Sequence, residues 1–109
     1  MKNEYLGRWR IVEMEMWGQD YIDLVVPGYI LFKENNSGEF QFGAVHGVMD
    51  CRIEPYGDTE RLEFTWDGED EMDPASGRGW AIINEDGQLE GNLYFHNGDD
   101  SGFTAEKAT

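Results

Sequence analysis

The chain has little of what usually announces a chemistry. It has a single cysteine, Cys51, in 109 residues, so no internal disulfide can form and nothing points to an oxidising compartment. Long hydrophobic runs are absent. Runs such as Leu24 to Val26, which stops at Pro27, fall far short of the roughly 18 apolar residues a membrane helix needs. The start, MKNEYLGRWR, has no apolar h-region of the kind a secretory leader carries, and the expected location is the cytoplasm. Positive charge is scarce: 8 Lys plus Arg face 23 Asp plus Glu, a formal net charge of -15. That balance argues against nucleic acid, whose phosphates are bound through Lys and Arg that displace counterions. It argues equally against an anionic membrane surface. No Gly-x-Ser-x-Gly elbow, phosphate loop or dinucleotide fingerprint occurs, and no cofactor is implied.

What the chain does have is apolar and aromatic material. Hydrophobic residues make up 39% and aromatics 14%, too much for a disordered acidic chain, so a packed core is expected. At this length the core belongs to one domain spanning residues 1–109. Short alternating segments recur, each followed by a turn cluster, which is the signature of antiparallel strands with one buried face.

The first segment, Tyr5 to Trp17, changes its apolar parity partway: Trp9 and Ile11 share one, Val12, Met14 and Met16 the other. The change predicts a bulge or bend near Val12–Glu13. Asp20 is placed to N-cap one helical turn over Tyr21–Val25, ended by Pro27 and Gly28. Further strands are expected over Tyr29–Glu34, Glu39–His46, Val48–Glu54, Arg61–Asp67, Gly79–Asn84, Leu89–His96 and Phe103–Lys107. Their inward residues include Leu31, Phe40, Phe42, Met49, Ile53, Leu62, Phe64, Trp66, Trp80, Ile82, Leu93, Phe95 and Phe103. The fold class is therefore all-β: about eight antiparallel strands of some six residues each, closing as an up-and-down barrel with one short helix after the first strand. Closure removes exposed edges, and the 14 glycines supply corners and bulges. Bulky inward residues favour a filled interior over a ligand cavity, with room left for a small apolar pocket at the mouth near Trp17 and Tyr21.

The opening Tyr5-Leu6-Gly7-Arg8-Trp9-Arg10-Ile11-Val12 resembles the start of the calycin barrels, the lipocalins and fatty-acid-binding proteins, whose first strand begins Gly-x-Trp. Glu15, Trp17, Asp20 and Tyr21 are similar to the fatty-acid-binding pattern that leads into a helix. The resemblance covers about the first 25 residues and implies the barrel. It does not carry a ligand over, because the late Arg-x-Tyr that grips a carboxylate is missing from Phe103–Lys107. A late lipocalin Arg packs over the Gly-x-Trp tryptophan; here the nearest counterpart is Lys107, a poorer stacking group. The whole chain also resembles an uncharacterised family of small bacterial proteins.

Three clusters bear on function. Asp67–Pro74 is rich in carboxylates, yet counted from Asp67 it lacks the Gly and Glu of an EF-hand, and it reads as a solvated loop. Asn97–Gly102 reads as a turn whose Asn and Asp side chains bond their own backbone. His46 and His96 each stand at an expected strand end, and a His pair with Asp50 or Asp99 would suit a metal or a general base. No metal set of defined spacing is present. The function expected is a non-enzymatic binding module for a neutral or cationic apolar ligand, with Trp17, Tyr21, His46 and His96 as candidate contacts. The alternatives are an acidic interaction module that engages a basic protein and, ranked last, an enzyme using the two histidines.

Overall fold

A computed structural model describes residues 2–108. It contains β1 (Gly7–Met14), α1 (Gln19–Ile22), β2 (Tyr29–Lys33), β3 (Ser37–Phe42), β4 (Val45–Tyr56), β5 (Thr59–Asp70), β6 (Asp73–Ile83), β7 (Leu89–Phe95) and β8 (Asp100–Lys107). Each strand pairs antiparallel with its neighbours in sequence, and β1 pairs with β8, closing the barrel. The bend expected in β1 is present: its register with β8 shifts between Ile11 and Glu13. That leaves Trp9, Ile11 and Met14 all buried inside.

The interior is filled by a size rule that runs across paired strands. Leu62, Phe64 and Trp66 of β5 lie opposite Ala81, Gly79 and Gly77 of β6. On β3 and β4, Phe40 lies opposite Gly47 and Met49 opposite Gly38. Each large side chain occupies the space its small partner leaves. A Cβ on Gly79 would stand 2.4 Å from Phe64 Cζ, and one on Gly47 would stand 2.6 Å from the Phe40 ring. Much of the glycine excess is thus inward-facing and filled by rings, which is how a small barrel reaches interior packing density without overcrowding. Among the described residues no buried side-chain nitrogen or oxygen lacks a hydrogen-bond partner. The Trp66 indole N–H, for example, donates to the Tyr94 carbonyl at 3.1 Å.

The same rule corrects several expectations. Trp80 and Ile82 face outward, because Ala81 takes the inward position opposite Leu62. Leu31 also faces outward, between buried Ile30 and Phe32, in a segment apolar on both parities. The expected strand Glu39–His46 is two strands. Gly43 (φ 55) and Ala44 turn the chain, and the apolar parity passes from Phe40 and Phe42 to Val45, Met49 and Cys51. Asp67–Pro74 is not a loop. β5 runs to Asp70 and β6 starts at Asp73, joined by Glu71 and Met72 in left-handed conformations (φ 51 and 75). Three strands consequently reach 11 or 12 residues instead of about six. The last strand begins at Asp100, so the turn before it is shorter than Asn97–Gly102. The helix is α1 alone, four residues with Gly18 at its N-cap and no side-chain cap from Asp20.

Candidate functional site

All four candidate contacts lie toward one end of the barrel, the end built by α1, the Gly43–Ala44 turn, the Glu71–Met72 turn and the turn after β7. They do different things there. Trp17 and Tyr21 are half-buried and stack at 6.1 Å. Trp17 also packs against Phe42 at 5.0 Å and Phe95 at 6.1 Å, and the aromatic column continues through Trp66 and Phe40. The mouth expected to hold an apolar pocket is occupied by these two rings.

Local bonds hold this plug in place. Met16 N donates to Ser101 Oγ at 3.1 Å, which fixes the chain just before Trp17. Ser101 is itself fully buried, and its hydroxyl donates to the Gly102 carbonyl. Gly43 N donates to the Ile22 carbonyl at 3.0 Å, while the Tyr21 ring lies where a Gly43 Cβ would be. The end of α1 is tied by Asp23. Its carboxylate takes two 2.8 Å bonds from the Arg10 guanidinium, one from Gly28 N at 2.8 Å and one from Gln19 at 3.0 Å. The Arg10 bond, with smaller help from the others, holds the Asp23 carboxyl well below the usual carboxylate range.

His46 is the second residue of β4, not a strand end, and faces outward with its Nε2 3.8 Å from Glu39 Oε2. Glu39 is otherwise engaged by Lys33 Nζ at 2.7 Å and by the Tyr29 hydroxyl at 2.7 Å. These bonds lower its pKa to about 2, Lys33 contributing most. Burial, then the bond to Glu39, pushes the Tyr29 hydroxyl up to about 12. His96 is exposed in the turn after β7, its backbone N–H donating to the Ser76 carbonyl at 2.7 Å. Two strands, β5 and β6, separate β4, which carries His46, from β7, whose following turn carries His96, so the structure does not bring the pair together. Among the described residues no three His, Cys, Asp or Glu side chains are grouped to hold a metal ion, and no helix is long and apolar enough to cross a membrane.

A groove that the sequence reading did not find runs along the outer wall. Trp80 lies opposite Asn92, and Asn92 opposite Gly102; beyond Gly102 the chain past β1 continues the wall, with Glu15 N donating to the Gly102 carbonyl at 3.0 Å. Because Gly102 carries no side chain, the row has a gap. Trp80 walls it on one side and Glu13 and Glu15 on the other, with Glu90 beside Asn92, leaving an open groove of about 510 Å³. None of Glu13, Glu15 and Glu90 forms an ion pair among the described residues. Trp80 already meets one cation, the Arg61 guanidinium, 4.8 Å from its ring centre. The clue in the sequence was the run Gly77, Gly79, Ala81: small residues at one parity opposite Leu62, Phe64 and Trp66 force Trp80 outside.

No protein-family model, curated protein or solved structure matches the chain.

Proposed function

We propose that the protein is a non-enzymatic binding module that takes a cationic, partly apolar ligand on the outer wall of its barrel, in the Trp80 groove. The observation that carries this reading is the meeting of one indole ring with three carboxylates that form no ion pair among the described residues. An aromatic face attracts a cation through its quadrupole, and the carboxylates add Coulomb attraction that a neutral ligand does not receive. A wall site also suits a barrel whose interior and mouth are filled by its own side chains.

Benzyltrimethylammonium, with benzyl alcohol as the uncharged control, tests the reading by amide and indole NMR. Saturable shifts are expected at Trp80, Asn92 and Gly102 for the ammonium alone, weaker at high salt. They should vanish in Trp80→Ala and shrink in Glu13→Gln and Glu90→Gln. Equal shifts from the alcohol, or shifts that survive Trp80→Ala, would remove the groove as the site.

A further inference from the structure

The two ends of the barrel are chemically unlike. The end opposite α1, made by residues 2–6, the turns at 35–36, 57–58 and 85–87 and the close of β8, mixes Glu4, Asp58, Glu85 and Asp86 with Lys2 and has Lys33 and Lys107 beside it. Its exposed Tyr56 is covered by the Arg61 guanidinium, 4.1 Å above the ring. At the α1 end, the segments 15–28, 43–46, 69–74 and 96–100 contain no Lys or Arg at all. They contain Glu15, Asp20, Asp23, Glu69, Asp70, Glu71, Asp73, Asp99 and Asp100. Only Asp23 of these is in an ion pair among the described residues.

The same end holds four of the six large hydrophobic side chains that are exposed among the described residues, the other two being Val48 and Tyr56. Met72 is 88% exposed, Leu24 64%, Val25 61% and Met16 50%. Met72 sits at the tip of the β5–β6 turn, and Glu71 N donates to the Ala44 carbonyl at 3.1 Å, which joins that tip to the Gly43–Ala44 turn beneath α1. The Met72 position is also held against local preference. A two-residue turn with both φ positive favours Asn-Gly or Asp-Gly, yet here Glu71 and Met72 occupy it at φ 51 and 75. The chain keeps a flexible, adaptable apolar side chain where glycine would sit more easily.

We infer that the α1 end is a docking surface for a basic amphipathic polypeptide segment, whose apolar side chains cover Met16, Leu24, Val25 and Met72 while its Lys and Arg meet the surrounding carboxylates. The charge pattern selects this occupant. An anionic membrane and a nucleic acid meet repulsion, and a second copy would bring the same carboxylates face to face. Apolar anchors within a charged rim are the arrangement a helix-in-groove partner uses. This surface meets the Trp80 groove only at Glu15; its apolar anchors lie outside the groove, so loss of binding in Trp80→Ala and loss in the Leu24 and Met72 variants separate the two readings.

The test uses an 18-residue Leu/Lys amphipathic peptide as probe, with oligolysine of equal charge as control, followed by NMR shift mapping and calorimetry on the intact protein. The Leu/Lys peptide should shift residues 16–28, 71–73 and 96–99 and leave the Trp80 indole and Asn92 unmoved. Leu24→Ser and Met72→Ser, which keep the net charge, should each weaken it several-fold, and about tenfold or more together. Met72→Gly supplies the control for folding, because it relieves the left-handed residue: it should raise the thermal midpoint and still weaken binding. Equal affinity for oligolysine, indifference to all three variants, or shifts at the opposite end overturn the inference. So does concentration-dependent dimerisation that the Met72 variants abolish, since that would make the surface a contact between copies. Binding of vesicles of phosphatidylcholine through the same residues would likewise replace a polypeptide with a lipid surface.

Discussion

The Lys107 ammonium stands 4.6 Å from the centre of the Trp9 ring and donates a hydrogen bond to the Leu6 carbonyl. Trp9 is buried with its indole N–H donating to the Tyr5 carbonyl at 2.9 Å, so the lysine closes the barrel end opposite α1. Gly7 makes the approach possible. It has φ 111, and a Cβ there would lie 3.1 Å from Lys107 Nζ. A Gly-x-Trp start and a cation from the last strand therefore meet here through a lysine instead of an arginine.

The first prediction ranks substitutions at this contact. Lys107→Ala removes an exposed cation–π contact and one hydrogen bond, and should cost about 1 kcal/mol. Gly7→Ala forces an ordinary residue into a left-handed conformation and should cost about 1–3 kcal/mol. Lys107→Arg should be close to neutral, because a guanidinium stacks on an indole at least as well. Urea unfolding midpoints give the order; Gly7→Ala milder than Lys107→Ala would mean the glycine is not what admits the lysine.

The second concerns the pairing of large with small across the strands. Gly79→Ala puts a methyl 2.4 Å from Phe64 Cζ and 2.6 Å from the Asn92 carbonyl oxygen. Overpacking of this kind should cost about 1–3 kcal/mol. Phe64→Ala empties the same space from the other side and should cost about 3–5 kcal/mol. If the double variant Gly79→Ala with Phe64→Ala is less stable than the sum of the singles, the two do not share one volume.

Those pairs explain how far the sequence could be read. Clean alternation such as Met49-Asp50-Cys51-Arg52 and Leu62-Glu63-Phe64-Thr65-Trp66 dictates strands, and enough of them with short turns dictate a barrel. The bend in β1 was legible because Trp9, Ile11 and Met14 cannot share a parity without an extra residue. Where both parities are apolar, as in Tyr29–Phe32 and Trp80–Ile83, size misled: the partner strand decides, and Leu62 needs Ala81, not Trp80. The turns at Gly43–Ala44 and Glu71–Met72 were hidden for different reasons. The first lies inside what reads as one alternating run, and the second uses residue types that such turns ordinarily avoid. The site suffered most. Trp17 and Tyr21 lie at one mouth of the barrel, but that they fill it depends on Gly43, Phe42 and Phe95 converging from distant strands. The Trp80 groove depends on the register of four strands, which no local pattern contains.

A third prediction follows from Glu39. Lys33 and Tyr29 hold its folded pKa at about 2, against 4.5 ordinarily. Unfolding would restore the higher value, so the unfolded chain binds the proton more readily. The contribution of Glu39 to stability is then complete above pH of about 4.5 and lost as pH falls toward 2. Asp23, lowered by Arg10, acts in the same direction on the acid side of 3.8. Thermal midpoints measured from pH 6 to pH 2 should fall less steeply in Glu39→Gln than in the parent. Parallel lines across that range would show that the Lys33 and Tyr29 bonds contribute nothing to folding.

The last prediction uses Cys51. It is buried on β4 opposite Phe64, and burial pushes its thiol up to about 12. The thiolate is the reactive form, so at pH 8 the folded protein holds almost none of it, and reagents cannot reach the sulfur without opening the barrel wall. A disulfide reagent should modify the native protein at least about a hundredfold more slowly than the chain in denaturant, at a rate that tracks opening of the wall. Gly79→Ala, which destabilises the β5–β6 pairing next to Phe64, should speed the reaction, whereas Lys107→Arg at the far contact should leave it unchanged. Rapid labelling of the native parent at pH 8 would place Cys51 outside the core, and the inward parity assigned to Met49, Cys51 and the β5 residues facing them would fail with it.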